Sequence, residues 1–265
     1  MYEPFFGVSE RPFELTANPK YLFLSASHRE ALSNLHYGIA KRTGVTVLLG
    51  EAGTGKTTLI AATLTSKLAD RAYVVYLNNP ALTRDEFLLF LAREFNLGRD
   101  AASSKTIMLE KLRRVLVRYR DAGLTPSLVI DEAQSLPHEL LEEIRLLSNM
   151  ETLAGKLLSI VLAGQPELAA RLNEPTLRQL KQRVELRCQL HPLSLDDTSA
   201  FIAKRINTAG GDASTIFTRE AVKLIYDASR GIPRTISVIC NNAMTTGFAL
   251  RERPIGPGKI GRAHV

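Results

Sequence analysis

Apolar residues fall along this chain in two alternating rhythms. Short leucine-rich and β-branched runs at Val45–Leu49, Tyr73–Leu77, Leu128–Asp131, Leu157–Ala163 and Val184–Leu190 have the length and composition of buried strands. Between them, apolar positions recur at helical spacing over Leu59–Leu68, Arg84–Phe95, Thr106–Tyr119, His138–Asn149 and Thr176–Arg183. Strand and helix in turn predict an α/β domain with a doubly wound, parallel, five-stranded sheet. Pro192 follows the last strand, and from Leu195 onward only helical periodicity remains. The plan is therefore an N-terminal arm and first helix over 1–40, an α/β core over 41–191, and a small helical domain over 192–250. The Pro- and Gly-rich stretch 251–265 has no apolar period and is expected to lack order.

The first strand runs directly into Gly50-Glu51-Ala52-Gly53-Thr54-Gly55-Lys56-Thr57-Thr58, and a helical pattern follows. Glycines at 50, 53 and 55 let successive backbone N–H groups turn toward one point, and the helix N-terminus adds partial positive charge there. In that context the run reads as a phosphate-binding loop (P-loop) for a nucleotide rather than a chance Gly-rich turn. Lys56 would reach the β- and γ-phosphates of ATP, and the Thr57 hydroxyl would bind Mg²⁺. A second apolar strand ends in Asp131-Glu132, followed by Ala133 and Gln134. Beside a phosphate loop this is more than a solvated acidic turn: Asp131 would hold the Mg²⁺ shell, and Glu132 would polarise the attacking water as general base.

Composition agrees with an ordinary globular domain: 265 residues, 45% of them hydrophobic, can bury a sizeable core. No run approaches the roughly 20 apolar residues of a membrane span, and the start lacks the features of a secretory signal, so the expected compartment is the cytoplasm. Cys188 and Cys240 stand far apart in apolar segments and read as core thiols. The net charge of +7 raises the question of a polyanionic partner. Its densest local source is Lys111, Arg113, Arg114, Arg118 and Arg120, on a helix whose other side carries Leu109, Leu112, Leu116 and Tyr119. That basic face is either simply solvated or a surface for nucleic acid or acidic lipid.

With an extra strand between the phosphate loop and the Asp-Glu strand, the chain resembles the AAA+ branch of P-loop ATPases over nearly its whole length. The resemblance implies a sheet in which the fourth strand lies between the first and third. It also implies that the helical domain is a lid. Gln165, in Gly164-Gln165-Pro166-Glu167, would occupy the polar sensor-1 position, although a plain strand-end turn explains a lone Gln as well. Arg234, in Gly231-Ile232-Pro233-Arg234, would be the sensor-2 arginine. Arg183, just before the fifth strand, would be an arginine finger offered to a neighbouring subunit; Arg178 competes for that role, and a surface ion pair is the plainer alternative. A finger in trans implies a homo-oligomer.

The opening segment, with Phe5, Phe6, Gly7, Pro12, Phe13, Asn18, Pro19 and Phe23 before His28, is similar to that of the ExeA, or general secretion pathway protein A, family. The Asp131–Gln134 and Gly164–Leu168 stretches match that family too. The resemblance implies that Pro12, Phe13 and the start of the helix at His28 wall the adenine side of the site, while the arm could equally close a hydrophobic core. It further implies an ATPase working with a membrane or secretion-system protein, cytoplasmic or held at the inner membrane through that partner. Many such proteins continue into a membrane span and a peptidoglycan-binding domain, so no peptidoglycan role is carried over to this chain. A second expectation, from the similar domain of transposition ATPases of the TniB, TnsC and MuB kind, is an ATP-dependent switch that assembles on DNA.

Overall fold

A computed structural model describes residues 1–16, 18–66, 71–78, 81–98, 101 and 104–260. The helices are α1 (Glu3–Phe6), α2 (Ala26–Lys41), α3 (Lys56–Leu64), α4 (Arg84–Glu94), α5 (Lys105–Asp121), α6 (His138–Leu147), α7 (Pro166–Leu172), α8 (Arg178–Lys181), α9 (Leu195–Thr208), α10 (Arg219–Ser229), α11 (Pro233–Ala249) and α12 (Pro257–Ile260). The strands are β1 (Val45–Leu49), β2 (Ala72–Leu77), β3 (Thr125–Ile130), β4 (Glu151–Thr152), β5 (Gly155–Lys156), β6 (Ser159–Gly164) and β7 (Val184–Gln189). Two compact units emerge. One comprises Arg29–Glu51 and Ala62–Leu190; the other comprises Met1–His28, Ala52–Ala61 and His191–Val265.

The α/β unit is built on a parallel sheet in the order β2-β3-β6-β1-β7, so the fourth strand of the expected five does lie between the first and the third. Every residue of β1, β3 and β6 is buried, as the continuous apolar runs require of strands covered on both faces. The fifth strand departs from the expectation of uniform burial. At the sheet edge, β7 exposes Glu185, Arg187 and Gln189 while Cys188 points inward, the alternation of a half-covered strand. Sequence periodicity also missed the two-residue β4–β5 hairpin and α7, whose seven residues begin on Pro166. The C-terminal end of the helix expected over Leu59–Leu68 lies outside the described residues.

On the sheet, α5 buries Met108, Leu112, Val115 and Leu116, and α4 starts with a capping box in which Thr83 and Glu86 each accept from the other's backbone N–H. One charged group sits deep among these helices. Glu143 on α6 is 3% exposed. Its Oε1 accepts from Arg84 Nε and from Lys105 Nζ, both at 2.7 Å, and so links α4, α5 and α6.

The helical unit has its own core, formed by Phe6 and Phe13 of the arm with Phe201, Ile202, Ile206, Ile225, Ile236, Cys240 and Met244. Hydrogen bonds hold the arm there. Tyr2 Oη donates to Asn241 Oδ1 at 2.9 Å, Ser9 N donates to the Ala209 carbonyl at 2.7 Å, and Arg205 Nη1 donates to the Pro12 carbonyl at 2.8 Å. The expectation of a tail without order from residue 251 fails for residues 251–260. Ile255 is fully buried, exchanges backbone hydrogen bonds with Ile216 and Thr218, and is followed by α12, whose Ile260 is also buried. Two isolated apolar residues carry that anchoring, too few to register as a period. Residues 261–265 lie outside the described residues.

Candidate nucleotide site

In the helical unit, the loop from Ala52 turns at Gly53 (φ 80°) and Gly55 (φ 101°), backbone conformations that a side chain would strain. Gly50 is not among the positive-φ glycines, so only two of the three loop glycines answer to the dihedral argument. Thr54 and Lys56 are buried, Thr57 and Ala52 are exposed, and α3 begins on Lys56, so the loop ends at a helix N-terminus. Thr58 is half-buried on the first turn.

Arg234 lies against the loop in the same unit. Its backbone N donates to the Gly53 carbonyl at 3.1 Å, and a Cβ at Gly53 would come within 2.8 Å of the Arg234 Cβ. The approach is held by Gly231 (φ 73°), whose carbonyl accepts from Leu193 N at 2.8 Å and whose missing Cβ would meet the Leu193 carbonyl at 2.0 Å. The Gly231–Arg234 pattern is thus a docking turn that seats the start of α11 on the phosphate loop. Its guanidinium belongs to an exposed residue.

The start of α2, which the family resemblance sets on the adenine side, makes its contact in this unit with the phosphate loop itself. His28, 3% exposed, sets Nε2 2.9 Å from the Thr54 carbonyl and Nδ1 2.7 Å from Ser25 Oγ. The carbonyl can only accept, so Nε2 carries the proton and Nδ1 accepts from the serine. Burial pushes the imidazole pKa down, against opposing influences from the Thr54 carbonyl and Asp197. Pro12 and Phe13 are buried in the same unit, with the Phe13 ring edge-on to Phe217 at 6.4 Å; that ring is part of the helical core.

In the α/β unit, Gly50 and Glu51 close β1, and Gly50 N donates to the Gly164 carbonyl at 3.2 Å. Asp131, 3% exposed, follows β3. Its Oδ1 accepts from Glu132 N at 2.9 Å and its Oδ2 from Tyr76 Oη at 3.2 Å. Burial first, and then the Asp131 carboxylate, raise the Tyr76 pKa to about 12, which keeps the phenol a donor at any working pH. Tyr76 is a residue the sequence did not reveal, since one tyrosine in an apolar strand reads as packing.

Glu132 stands in the left-handed region (φ 53°, ψ 36°), a conformation costly for a non-glycine residue and concentrated at functional sites. Its Oε2 accepts from Gln134 Nε2 at 2.6 Å, and Gln165 Nε2 lies at 3.4 Å. The end of β3 and the end of β6 therefore meet at one carboxylate. Arg178 and Arg183 are exposed, and neither has an ion pair among the described residues. Arg183 presents its main chain to the sheet, its carbonyl accepting from Val45 N at 3.1 Å.

Comparison with known proteins bears on this geometry. Residues 39–172, half of the chain, match the family described as AAA domain. The chain belongs to that AAA domain family. It is an ATPase module of that class, and a helical portion follows the sheet. The chain is 41% identical over 263 residues to General secretion pathway protein A of Aeromonas hydrophila, covering 99% of this chain and 48% of that protein. It thus spans about half the length of that curated relative, and the sequence likeness to the ExeA family holds across the whole chain. Solved structures share the fold at low identity. They include the Aeropyrum pernix ORC2 protein (TM-score 0.71, 17% identity, 97% of this chain and 71% of that one) and Cdc6p of Pyrobaculum aerophilum (0.68, 20%, 98% and 70%). The RuvB branch migration motor of Thermotoga maritima is a third (0.60, 17%, 91% and 68%). Among the described residues, no helix is long and apolar enough to cross a membrane.

Proposed function

We propose that this AAA ATPase binds ATP with Mg²⁺, hydrolyses it, and uses the cycle to assemble or remodel a protein partner of a secretion or envelope system. The observation that carries this reading is the 41% identity to General secretion pathway protein A along 99% of the chain. The likeness covers both the phosphate loop and the Asp131–Gln134 turn. Gly50, Glu51, Ala52, Gly53, Thr54, Gly55, Lys56, Thr57 and Thr58 would wrap the phosphates, with Lys56 reaching the β- and γ-groups. Arg234, seated against Gly53, would sense the γ-phosphate from the lid. Pro12 and Phe13, bound into the helical core, would shape the adenine side through where they hold the arm.

A hydroxyl and a carboxylate are the hard oxygen donors that suit Mg²⁺. The Asp131 carboxylate is oriented for such a role by Glu132 N and Tyr76 Oη. Thr57 and Asp131 would hold the ion, which when bound neutralises charge on the phosphates. In hydrolysis, water oxygen bonds to the γ-phosphorus, the bond from that phosphorus to the β–γ bridging oxygen breaks, and Glu132 takes a water proton. ADP carries away the bridging oxygen. Gln165 would help orient the water. Arg183, or Arg178, would complete the site of a neighbouring copy, which makes the working form a homo-oligomer. It would act in the cytoplasm, held at the inner membrane through its partner.

The test is ATP turnover against protein concentration, with Mg²⁺ or with EDTA, and with or without duplex DNA at two salt levels. Turnover that rises cooperatively with protein, requires Mg²⁺ and ignores DNA supports the proposal. Glu132→Gln should keep ATP bound and stop hydrolysis, and Lys56→Ala should weaken binding. One observation favours a second reading: Arg113, Arg114 and Arg118 stand exposed along one side of α5, and among the described residues only Arg114 of the three has an ion pair, with Glu110 at 3.6 Å. Turnover that appears only with DNA, and fades steeply with salt, would replace the secretion reading by an ATP-dependent DNA-assembly switch.

A further inference from the structure

Gln134 lies two residues beyond the acidic pair, on the short turn Ala133–Ser135. Its side-chain amide bonds at both ends. Oε1 accepts from the backbone N of Gln165 at 3.0 Å, and Nε2 donates to Glu132 Oε2 at 2.6 Å. The first bond fixes the sense of the second. A backbone N–H can only donate, so the oxygen must face Gln165 and the amide NH₂ must face the carboxylate. Room for the bridge comes from Gly164, where an added Cβ would stand 2.8 Å from Gln134 Oε1. The turn is clamped from α7, whose Arg171 Nη1 donates to the carbonyls of Gln134 at 2.7 Å and Leu136 at 2.5 Å. A glycine and a strand-end N–H thus place the side-chain amide, a guanidinium holds the backbone that carries it, and the amide's remaining hand holds a carboxylate on a strained backbone.

We propose that Gln134 is a positioning residue for hydrolysis, fixing the Glu132 carboxylate by a bridge from the end of β6. The inference rests on the reading of Glu132 as general base and deepens it. Hydrogen bonding by a rigid amide removes the freedom of a carboxylate that would otherwise swing about two torsions, and misplacement of a reacting group by about 1 Å can cost on the order of 10²-fold in rate. Because the other hand of the bridge grips Gln165, the orientation of the base follows the position of the β6 end. Any movement of Gly164 and Gln165 during the cycle is passed to Glu132 through Gln134 at 2.6 Å, and more loosely through the Gln165 amide at 3.4 Å.

Two substitutions remove the donor hand. Gln134→Glu keeps the size and the oxygen that accepts from Gln165 while removing the NH₂; Gln134→Leu removes both hands and keeps the turn packed. At matched protein concentration, each is expected to lower kcat by about tenfold to a hundredfold with ATP affinity, read as KM and by direct binding, unchanged. Gln134→Glu also sets a second carboxylate against Glu132, so its thermal midpoint should fall, whereas Gln134→Leu tests the lost bridge without an added charge. Each is then combined with Glu132→Gln. If Gln134 acts through the carboxylate, adding its substitution to Glu132→Gln changes the residual rate no further; a merely structural residue would lower it again. Independent, additive losses would overturn the proposal, and so would parental kcat in Gln134→Glu or a loss confined to KM. Undiminished turnover in Glu132→Gln alone would instead overturn the reading of the base, and the proposal with it.

Discussion

His28 is a titratable group locked in its neutral form, and that gives stability a pH dependence of known sign. Its pKa is lowered by burial, and that of His36, a half-buried residue, is lowered by the same cause. An imidazole in the unfolded chain takes a proton near pH 6.5, while the folded form resists it to lower pH. Stability from these groups is therefore fully present above about pH 6.5 and is lost as pH falls toward the folded values. The urea midpoint should decline between pH 7.5 and 5.5, and His28→Asn should flatten that decline without abolishing it, because His36 remains. A His28→Asn slope equal to the parent's would show that the ring contributes nothing to the linkage. The same variant loses the bond to Thr54, so its KM for ATP should rise. The family resemblance sets the start of this helix beside the nucleotide, but nothing in the order of residues announces the bond to Thr54. The motif fixes which glycines bend the loop, but a histidine 26 residues earlier touches it only after the chain has folded. Tyr76 and Gln134 were hidden in the same way: their chemistry lies in the partner, and the partners become neighbours only through pairing of β2 with β3 and β3 with β6.

At the scale of elements, the parts written in hydrophobic period were legible and the parts written in polar contacts were not. Central strands came through because burial on both faces demands continuous apolar runs, and α4, α5 and α6 because an apolar stripe must repeat each turn. The edge strand β7 was recognised as a strand, but its exposed Glu185 and Arg187 were absorbed into an apolar reading. The tail was misjudged because order there depends on Ile255 and Ile260 filling a core assembled from distant helices. Glu143 is the clearest polar case, since by period it is a surface residue of α6, yet Arg84 and Lys105, 59 and 38 residues away, make it a buried hub. Removing both cations with Arg84→Ala and Lys105→Ala would strand a carboxylate out of water, at a cost of about 3–5 kcal/mol. The double variant should lower the chemical-denaturation free energy by that order. Glu143→Leu in addition should recover part of it, because an apolar group needs no partner there. No recovery would mean that the loss comes from packing of the two long side chains instead.

At the scale of the molecule, the proposed activity depends on what one copy lends another. Arg183 immediately precedes the edge strand, with its carbonyl bound to Val45 N and its side chain exposed, so the main chain is fixed while the guanidinium is available outward. Arg178 is exposed one helix turn earlier, at the start of α8. An arginine supplied in trans is worth about 10³–10⁵ in turnover, far more than a surface ion pair could explain. Arg183→Ala and Glu132→Gln should therefore each be nearly inactive alone. In an equal mixture, an interface that joins an intact base on one copy to an intact arginine on the next arises about one time in four if subunits exchange freely. Roughly a quarter of parental turnover should return on mixing, at protein concentrations where the parent is fully active. The same mixture with Arg178→Ala in place of Arg183→Ala decides which arginine crosses the interface. If neither mixture regains activity although the subunits demonstrably exchange, the base and the arginine act within one chain, and the dependence of turnover on protein concentration must have another origin.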